Sequence, residues 1–352
     1  MIRVGVVGFG LAGRVFHAPL VSSVPGLELA AVVERSKNIA AERYPGIATY
    51  RSVEDLLADR SIQLVVVATP NSTHFPVAMQ ALGAGKHVVV DKPMGMTADE
   101  IAQMMELAGG LGRQCIPFHN RRWDSDFQTI QKVIHEGALG MLVHVASSFD
   151  RWRPGLSTRA WKEDVTEGGL LLDIGPHLTD QALTLFGLPD SISAEVRTER
   201  DCDGAPDAFT IRMHYYTGLI VTLSANCLSS LARPRFHLRG TRGNFWKWGL
   251  DPQEEALGRL TRIETADWGR EPESAHGTLS AEADGRLAES RIPSIPGDYR
   301  KFYEGVREAI LGNSPPPVKA VEAWRAAKLL EWAAESARKD AHVDCDWEKE
   351  PN

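Results

Sequence analysis

The chain has 352 residues, more than one hydrophobic core usually serves, so two domains are expected. Lys plus Arg total 39 against 46 Asp plus Glu, a net charge of −7 with no basic block, which argues against nucleic acid and membrane as partners and for a small ligand. Cys115, Cys202, Cys227 and Cys345 are scattered without CxxC spacing, no run reaches membrane length and no signal-like segment follows Met1, so a soluble protein of the reducing cytoplasm is expected.

Up to about residue 120, short β-branched runs alternate with helical patterns. IRVGVVG, LELAAVVE, IQLVVVATP, KHVVVDKP and QCIPFHN are separated by stretches such as SVEDLLAD, FPVAMQALGAG and ADEIAQMMELAGGLG. Nearly continuous apolar strands with helical crossovers predict a doubly wound α/β domain, its parallel sheet covered on both faces. After the helical stretch DFQTIQKVIHEGALG the texture changes. VHVASSFDRW, SISAEVRTER, AFTIRMHYY, LIVTLSANC, RFHLRG and NFWKWG follow one another through short glycine turns, several with period-2 alternation. They predict a second, α+β domain with a large, mostly antiparallel open sheet. The division falls at 1–120 and 121–352. Residues 265–291 read as loops around a short hairpin. The chain then ends in helices, the last with a narrow apolar stripe of Ala323, Ala326, Leu330, Ala333 and Ala337 that suits packing back on the first domain.

Gly8-x-Gly10-x-x-Gly13, in GVVGFGLAGRVF, follows a strand directly and opens a helix. The first glycine permits a tight turn, the second lets backbone approach a pyrophosphate, and the third allows close helix–strand contact. Leu11 and Ala12 fall within the turn. Glu34 lies 21 residues beyond Gly13 at the end of the second strand, where a carboxylate binds a ribose diol. Glu34 favours NAD over NADP, while Arg35, Ser36 and Lys37 beside it suit a 2′-phosphate, so either dinucleotide stays open.

Three further strand ends carry conspicuous groups: Thr69, Pro70 and Asn71 with His74; Asp91 and Lys92; and His119, Asn120 and Arg121. Lys92, before a proline, can present its ammonium to a substrate oxygen or merely solvate the surface. In GLLLDIGPHLTDQ, Asp173 and His177 stand four apart, one above the other if the stretch is helical. They read either as paired site residues or as a helix cap and a core histidine. Two ligands without a third do not define a metal site, and no metal is expected.

In order along the chain, GFGLAG, ATPNSTH, GKHVVVDKP and GGLLLDIGPHLTDQ resemble the motifs of the glucose-fructose oxidoreductase and inositol dehydrogenase (Gfo/Idh/MocA) family, whose members join a Rossmann domain to an open-sheet domain. HNRRWDSDF, FDRWRP and WGLDPQEEAL are most similar to its branch of NADP-dependent scyllo-inositol dehydrogenases. The resemblance implies NAD or NADP as cofactor and a cyclic polyol or sugar as substrate, with Lys92 polarising the reacting oxygen, His177 exchanging its proton, and Asp173 orienting substrate hydroxyl and histidine. It further implies that Asn71, Asn120 and Arg121 touch nicotinamide or ribose and that Trp161 reaches over the cofactor. Asp150, Arg151 and Arg153 are candidates to hydrogen-bond a polyol, or form a solvated charged face. Two positions depart from the family pattern: Asp91 replaces a glutamate before Lys92, and Glu167 replaces the first of three glycines. Exposed sheet aromatics favour a homo-oligomer, a dimer or tetramer through the second sheet. Two other readings remain open: a dinucleotide-sensing regulatory protein on the same fold, and a reductase of another carbonyl or imine substrate.

Overall fold

The computed structural model describes residues 1–156, 164–200, 204–231, 233–259, 262–263 and 266–351. The first sheet contains β1 (Ile2–Val7), β2 (Leu27–Val33), β3 (Ala48–Tyr50), β4 (Leu64–Val67), β5 (His87–Val90) and β6 (Cys115–Pro117), all parallel, in the order β3-β2-β1-β4-β5-β6. β4 and β5 are apolar at nearly every position because both sheet faces are covered, and Val65, Val66, Val67, Val88, Val89 and Val90 are fully buried. The crossovers include α1 (Ala18–Ser23), α2 (Ile39–Arg43), α3 (Val53–Ala58), α4 (His74–Gly83) and α5 (Ala98–Gly110). Ser52 and Thr97 start α3 and α5 by accepting from the backbone N–H three residues on. β3 lies in a stretch whose alternation is too short to read as a strand.

α6 (Ser125–His135) leads into β7 (Leu142–Asp150), and α7 (Gly169–Phe186) precedes β8 (Ser191–Arg197), β9 (Ala208–His214), β10 (Ile220–Asn226), β11 (Phe236–Gly240) and β12 (Gly243–Lys247). After α8 (Gln253–Leu257), β13 (Gly277–Ala283) and β14 (Arg286–Ile292) close the hairpin expected within 265–291. Asp284 and Gly285 both have positive φ, the conformation that a two-residue hairpin turn requires. With β15 (Val343–Asp344), these strands form one sheet in the order β14-β13-β12-β11-β7-β10-β9-β8-β15, antiparallel throughout except for the parallel pair β7 and β10. Along β7, Val145, Ser147 and Phe149 are buried toward the helices while Ala146, Ser148 and Asp150 on the other face stay half-exposed.

α9 (Arg300–Ile310) and α10 (Ala320–Lys339) join the two halves. Phe302, Tyr303 and Val306 of α9 are buried in one core with Val4, Val6 and Leu20 of the first domain. In α10, Ala323 and Trp324 enter the first domain's core and Leu329, Leu330, Trp332 and Ala333 the second's. The helix is therefore buried on two sides, wider than the alanine stripe suggested, because the indoles of Trp324 and Trp332 flank it. Among the described residues, no helix is long and apolar enough to cross a membrane.

Candidate active site

The glycine turn is shaped by what a side chain would strike. Gly8 has φ +93°, and a Cβ there would lie 2.5 Å from the Ala68 carbonyl oxygen; one on Gly13 would lie 2.1 Å from the Gly8 carbonyl oxygen. Around Gly10, by contrast, no heavy atom of the described residues beyond its own chain neighbours lies within 4 Å of the place a Cβ would take. The chain then coils through a wide π-type turn, Gly13–His17, into α1. Two glycines hold the turn tight and the third leaves open room before a helix start, an arrangement that fits a dinucleotide pyrophosphate.

At the ends of β4 and β5, the buried His74 ring places Nδ1 2.7 Å from the Pro93 carbonyl oxygen and Nε2 2.9 Å from that of Thr69. Both nitrogens are engaged by backbone, so His74 ties these two loops together. Beside it, the Ser72 hydroxyl donates to Glu167 Oε1 at 2.6 Å and the Asn71 amide to the Glu167 carbonyl at 3.2 Å. Glu167, the departure in EGG, is thus the group that reaches across from the second domain to the loop after β4.

α7 begins at Gly168 and Gly169, both with positive φ, and a Cβ on Gly169 would lie 2.4 Å from the Pro206 carbonyl oxygen. Its first turns carry Asp173 and, after Pro176, His177. Lys92 Nζ donates to Asp173 Oδ1 at 2.9 Å and to the Asp173 carbonyl at 2.7 Å. The proline removes an N–H from this part of the helix, and the ammonium serves a carbonyl of the same turn. Arg151 Nη1 stands 3.7 Å from Asp173 Oδ2. Asp173 therefore faces two cations, while His177 Nδ1 is buried without a hydrogen-bond partner among the described residues. Burial, and then the charges of Arg121, Lys92 and His119, hold the His177 pKa well below 6.5, with Asp173 opposing more weakly. The ring is neutral at physiological pH.

These groups line one cleft of about 600 Å³. Gly10, Leu11, Ala12, Thr69, Pro70, Asn71, His74, Lys92, Asn120, Arg121, Arg153, Asp173 and His177 all reach it. Gly8 and Gly13 do not line it; they hold tight the turn from which Gly10, Leu11 and Ala12 reach it. Asp150 is a correction: strand alternation turns it to the opposite sheet face, where Arg233 Nε donates to it at 2.6 Å and Asn226 Nδ2 at 2.8 Å. Glu34 does not line the cleft either; it is buried and accepts from the Ala40 backbone N–H at 2.9 Å, while Arg35 is exposed beside it. Trp161 lies outside the described residues. The cleft also contains Phe16 and Glu254, which the sequence does not single out. Glu254 accepts from Arg121 Nη2 at 2.8 Å, and no local spacing signals a pairing 133 residues apart.

A six-stranded parallel sheet with a glycine turn, joined to an open mixed sheet whose helix meets that turn across a cleft, defines a two-domain oxidoreductase with a dinucleotide-binding first domain. Residues 2–119 match the model of the oxidoreductase family with an NAD-binding Rossmann fold, and residues 127–246 that of the GFO/IDH/MocA C-terminal domain. The chain belongs to the Gfo/Idh/MocA oxidoreductase family. It is 39% identical to the uncharacterized oxidoreductase YdgJ of Escherichia coli over 96% of both chains. It is 33% identical to the NADP(+) scyllo-inositol 2-dehydrogenase IolW of Bacillus subtilis, over 96% of this chain and 94% of the other. The YPO2259 structure from Yersinia pestis superposes with a TM-score of 0.93 at 39% identity, covering 98% of this chain and 97% of that one.

Proposed function

We propose that the chain oxidises a ring hydroxyl of a cyclic polyol or sugar to the ketone, and reduces it back, with NAD or NADP. The observation that supports this reading best is the presence of the Lys92 ammonium and the neutral His177 imidazole in the cleft that also contains Gly10, Leu11 and Ala12. The likeness to IolW, named as an inositol dehydrogenase, supports the substrate class.

Gly8, Gly10 and Gly13 would hold the pyrophosphate, and Thr69, Asn71, Asn120 and Arg121 would flank the nicotinamide half. When bound, the nicotinamide supplies the hydride acceptor. His177, with Nδ1 buried, keeps Nε2 as the ring nitrogen able to take the hydroxyl proton, and its neutral state makes it a base. Lys92 stabilises the developing alkoxide, and Asp173 positions its ammonium. Phe16, Phe118 and Ile174 in the walls limit water around these charges. For the cofactor, Glu34 spends its hydrogen bond on the start of α2 while Arg35 and Lys37 are exposed, which favours room for a 2′-phosphate, so the reading extends to NADP.

We assign these roles to folding units 1–120 and 121–352 of a cytoplasmic protein that self-associates through the outer face of the second sheet, where Trp246 is 44% exposed. The direct test supplies NAD and NADP with a panel of inositols and aldoses and follows reduced-nicotinamide absorbance. Turnover of a ring polyol is expected. Tight dinucleotide binding with silence across the panel would overturn the polyol reading.

A further inference from the structure

The charges in the cleft can be paired off one by one. Lys92 is held by Asp173. Arg121 has Asp124 at 3.1 Å and Glu254 at 2.8 Å. Arg151 has Asp173 at 3.7 Å and lies over the Phe149 ring, 4.8 Å from its centroid. Asp91 faces His17 at 3.8 Å. Arg153 remains: no carboxylate lies within 4.0 Å of it among the described residues. Lys92, Arg121, Arg151 and Arg153 set four cations against the three carboxylates Asp91, Asp173 and Glu254, while His177 is neutral. Among the described lining residues, Arg153 is therefore the cation left without a carboxylate.

The backbone beneath Arg153 is fixed. Arg151 N donates to Asn226 O at 3.0 Å, Arg153 N to Cys227 O at 2.8 Å, and Trp152 bridges to Leu228. Arg200 Nη1 donates to the carbonyls of Arg153 at 3.3 Å and Gly155 at 3.0 Å. Alternation along this extended segment sends Arg151 and Arg153 to the cleft and Trp152 to solvent, where it is 58% exposed. An unpaired guanidinium on a pinned strand extension is a ready partner for an oxyanion, which its fork binds through two parallel N–H donors. A dinucleotide pyrophosphate already has the glycine turn of the first domain, whereas Arg153 extends from β7 in the second, beside the arginine that faces Asp173.

We propose that the substrate carries an anionic substituent, a carboxylate or a phosphate on the skeleton that bears the reacting hydroxyl, and that Arg153 receives it with Arg151 behind. This rests on the dehydrogenase reading of the cleft. The test is calorimetric titration of the protein–NADPH complex with glucose, glucuronate and glucose 6-phosphate, alongside absorbance assays of the same compounds and of neutral inositols with NADP.

One of the two anions binds about 10- to 100-fold more tightly than glucose, the range expected of a hydrogen-bonded charge pair, and which one does so separates carboxylate from phosphate. Arg153→Gln abolishes that preference and Arg153→Lys keeps part of it. Equal affinities, no binding of either anion, or a preference that survives Arg153→Gln overturns the proposal. So does an equal loss of NADPH affinity in Arg153→Gln, which would put the guanidinium on the cofactor. Arg153 is exposed, and a melting curve for each variant checks the fold. Anion preference without turnover of any compound sinks the dehydrogenase reading and leaves the anion site; turnover of neutral polyols without charge preference does the reverse.

Discussion

Replacing Lys92 by methionine keeps most of the side-chain volume and removes the ammonium, which separates its catalytic from its structural contribution. The lost contacts are two, at 2.9 Å and 2.7 Å, both to Asp173. The pair is 18% and 26% exposed, and Asp173 retains Arg151 at 3.7 Å, so the carboxylate is not stranded. A partly solvated pair with a surviving second partner contributes about 1 kcal/mol, or a fall in Tm of roughly 2–4 °C. The catalytic effect is larger. A fixed donor beside a developing oxyanion contributes on the order of 10²- to 10³-fold in kcat, about 3–4 kcal/mol. Steady-state rates from reduced-nicotinamide absorbance, Kd for the cofactor from its fluorescence, and a melting curve measure the three quantities on one sample. Loss of kcat should come with near-native melting and cofactor affinity. A kcat within about threefold of the parent's, a change too small for a lost oxyanion donor, would refute the role given to Lys92.

Three further outcomes are expected. Gly10→Ala has open space for its methyl and should melt like the parent while binding dinucleotide more weakly, whereas Gly13→Ala, with its Cβ 2.1 Å from the Gly8 carbonyl oxygen, should lose about 1–3 kcal/mol of stability; equal melting temperatures would count against the turn geometry. Since the His177 pKa lies well below 6.5, its stabilisation is fully present above pH 6.5 and is lost as pH falls from there through the folded pKa, because only the unfolded chain takes up the proton in that window. The oxidation rate should accordingly stay flat as pH falls through 6.5, and a base limb at or above 6.5 would exclude this imidazole as the base. Arg35→Ala should raise the Kd for NADPH about tenfold and leave NADH nearly unchanged, by the size of one charge-assisted phosphate contact; parallel changes would remove Arg35 from the 2′ position.

What was legible in the sequence is what short-range pattern encodes. The strands of the first sheet are buried on both faces and therefore read as β-branched runs, and the glycine turn is defined by positions where Cβ would collide. Asp173 and His177 could be placed on one helix because four residues complete about one turn. Side-chain direction at the end of β7 was less accessible. Asp150 and Arg153 are three apart and go to opposite faces, and only the strand register separates them. Glu34 could be assigned to a ribose from its position after β2, but its buried carboxylate is engaged six residues on by Ala40, a contact set by how α2 folds back. Glu254 and Glu167 act through partners 133 and 96 residues away, Arg121 and Asn71, beyond any local pattern.

The geometry also explains why the start of α7 combines glycines, an aspartate and a proline. Lys92 belongs to the first domain and His177 to the second, so their separation depends on the angle between domains. That angle is constrained at the start of α7: Lys92 holds the side chain and carbonyl of Asp173, and Ser72 and Asn71 hold Glu167 just before the helix. Gly169 allows the chain to pass close to Pro206, and Gly175 allows close packing of α10, since a Cβ there would lie 2.8 Å from Leu330 Cδ2. α10 in turn enters both cores. A side chain at Gly169 would strike the Pro206 backbone and push the start of α7 from its supports, whereas one at Gly175 would meet only the end of the Leu330 side chain, which can turn aside. The precision of the site thus depends on the small residues that let the helix sit close as much as on the charged ones it presents.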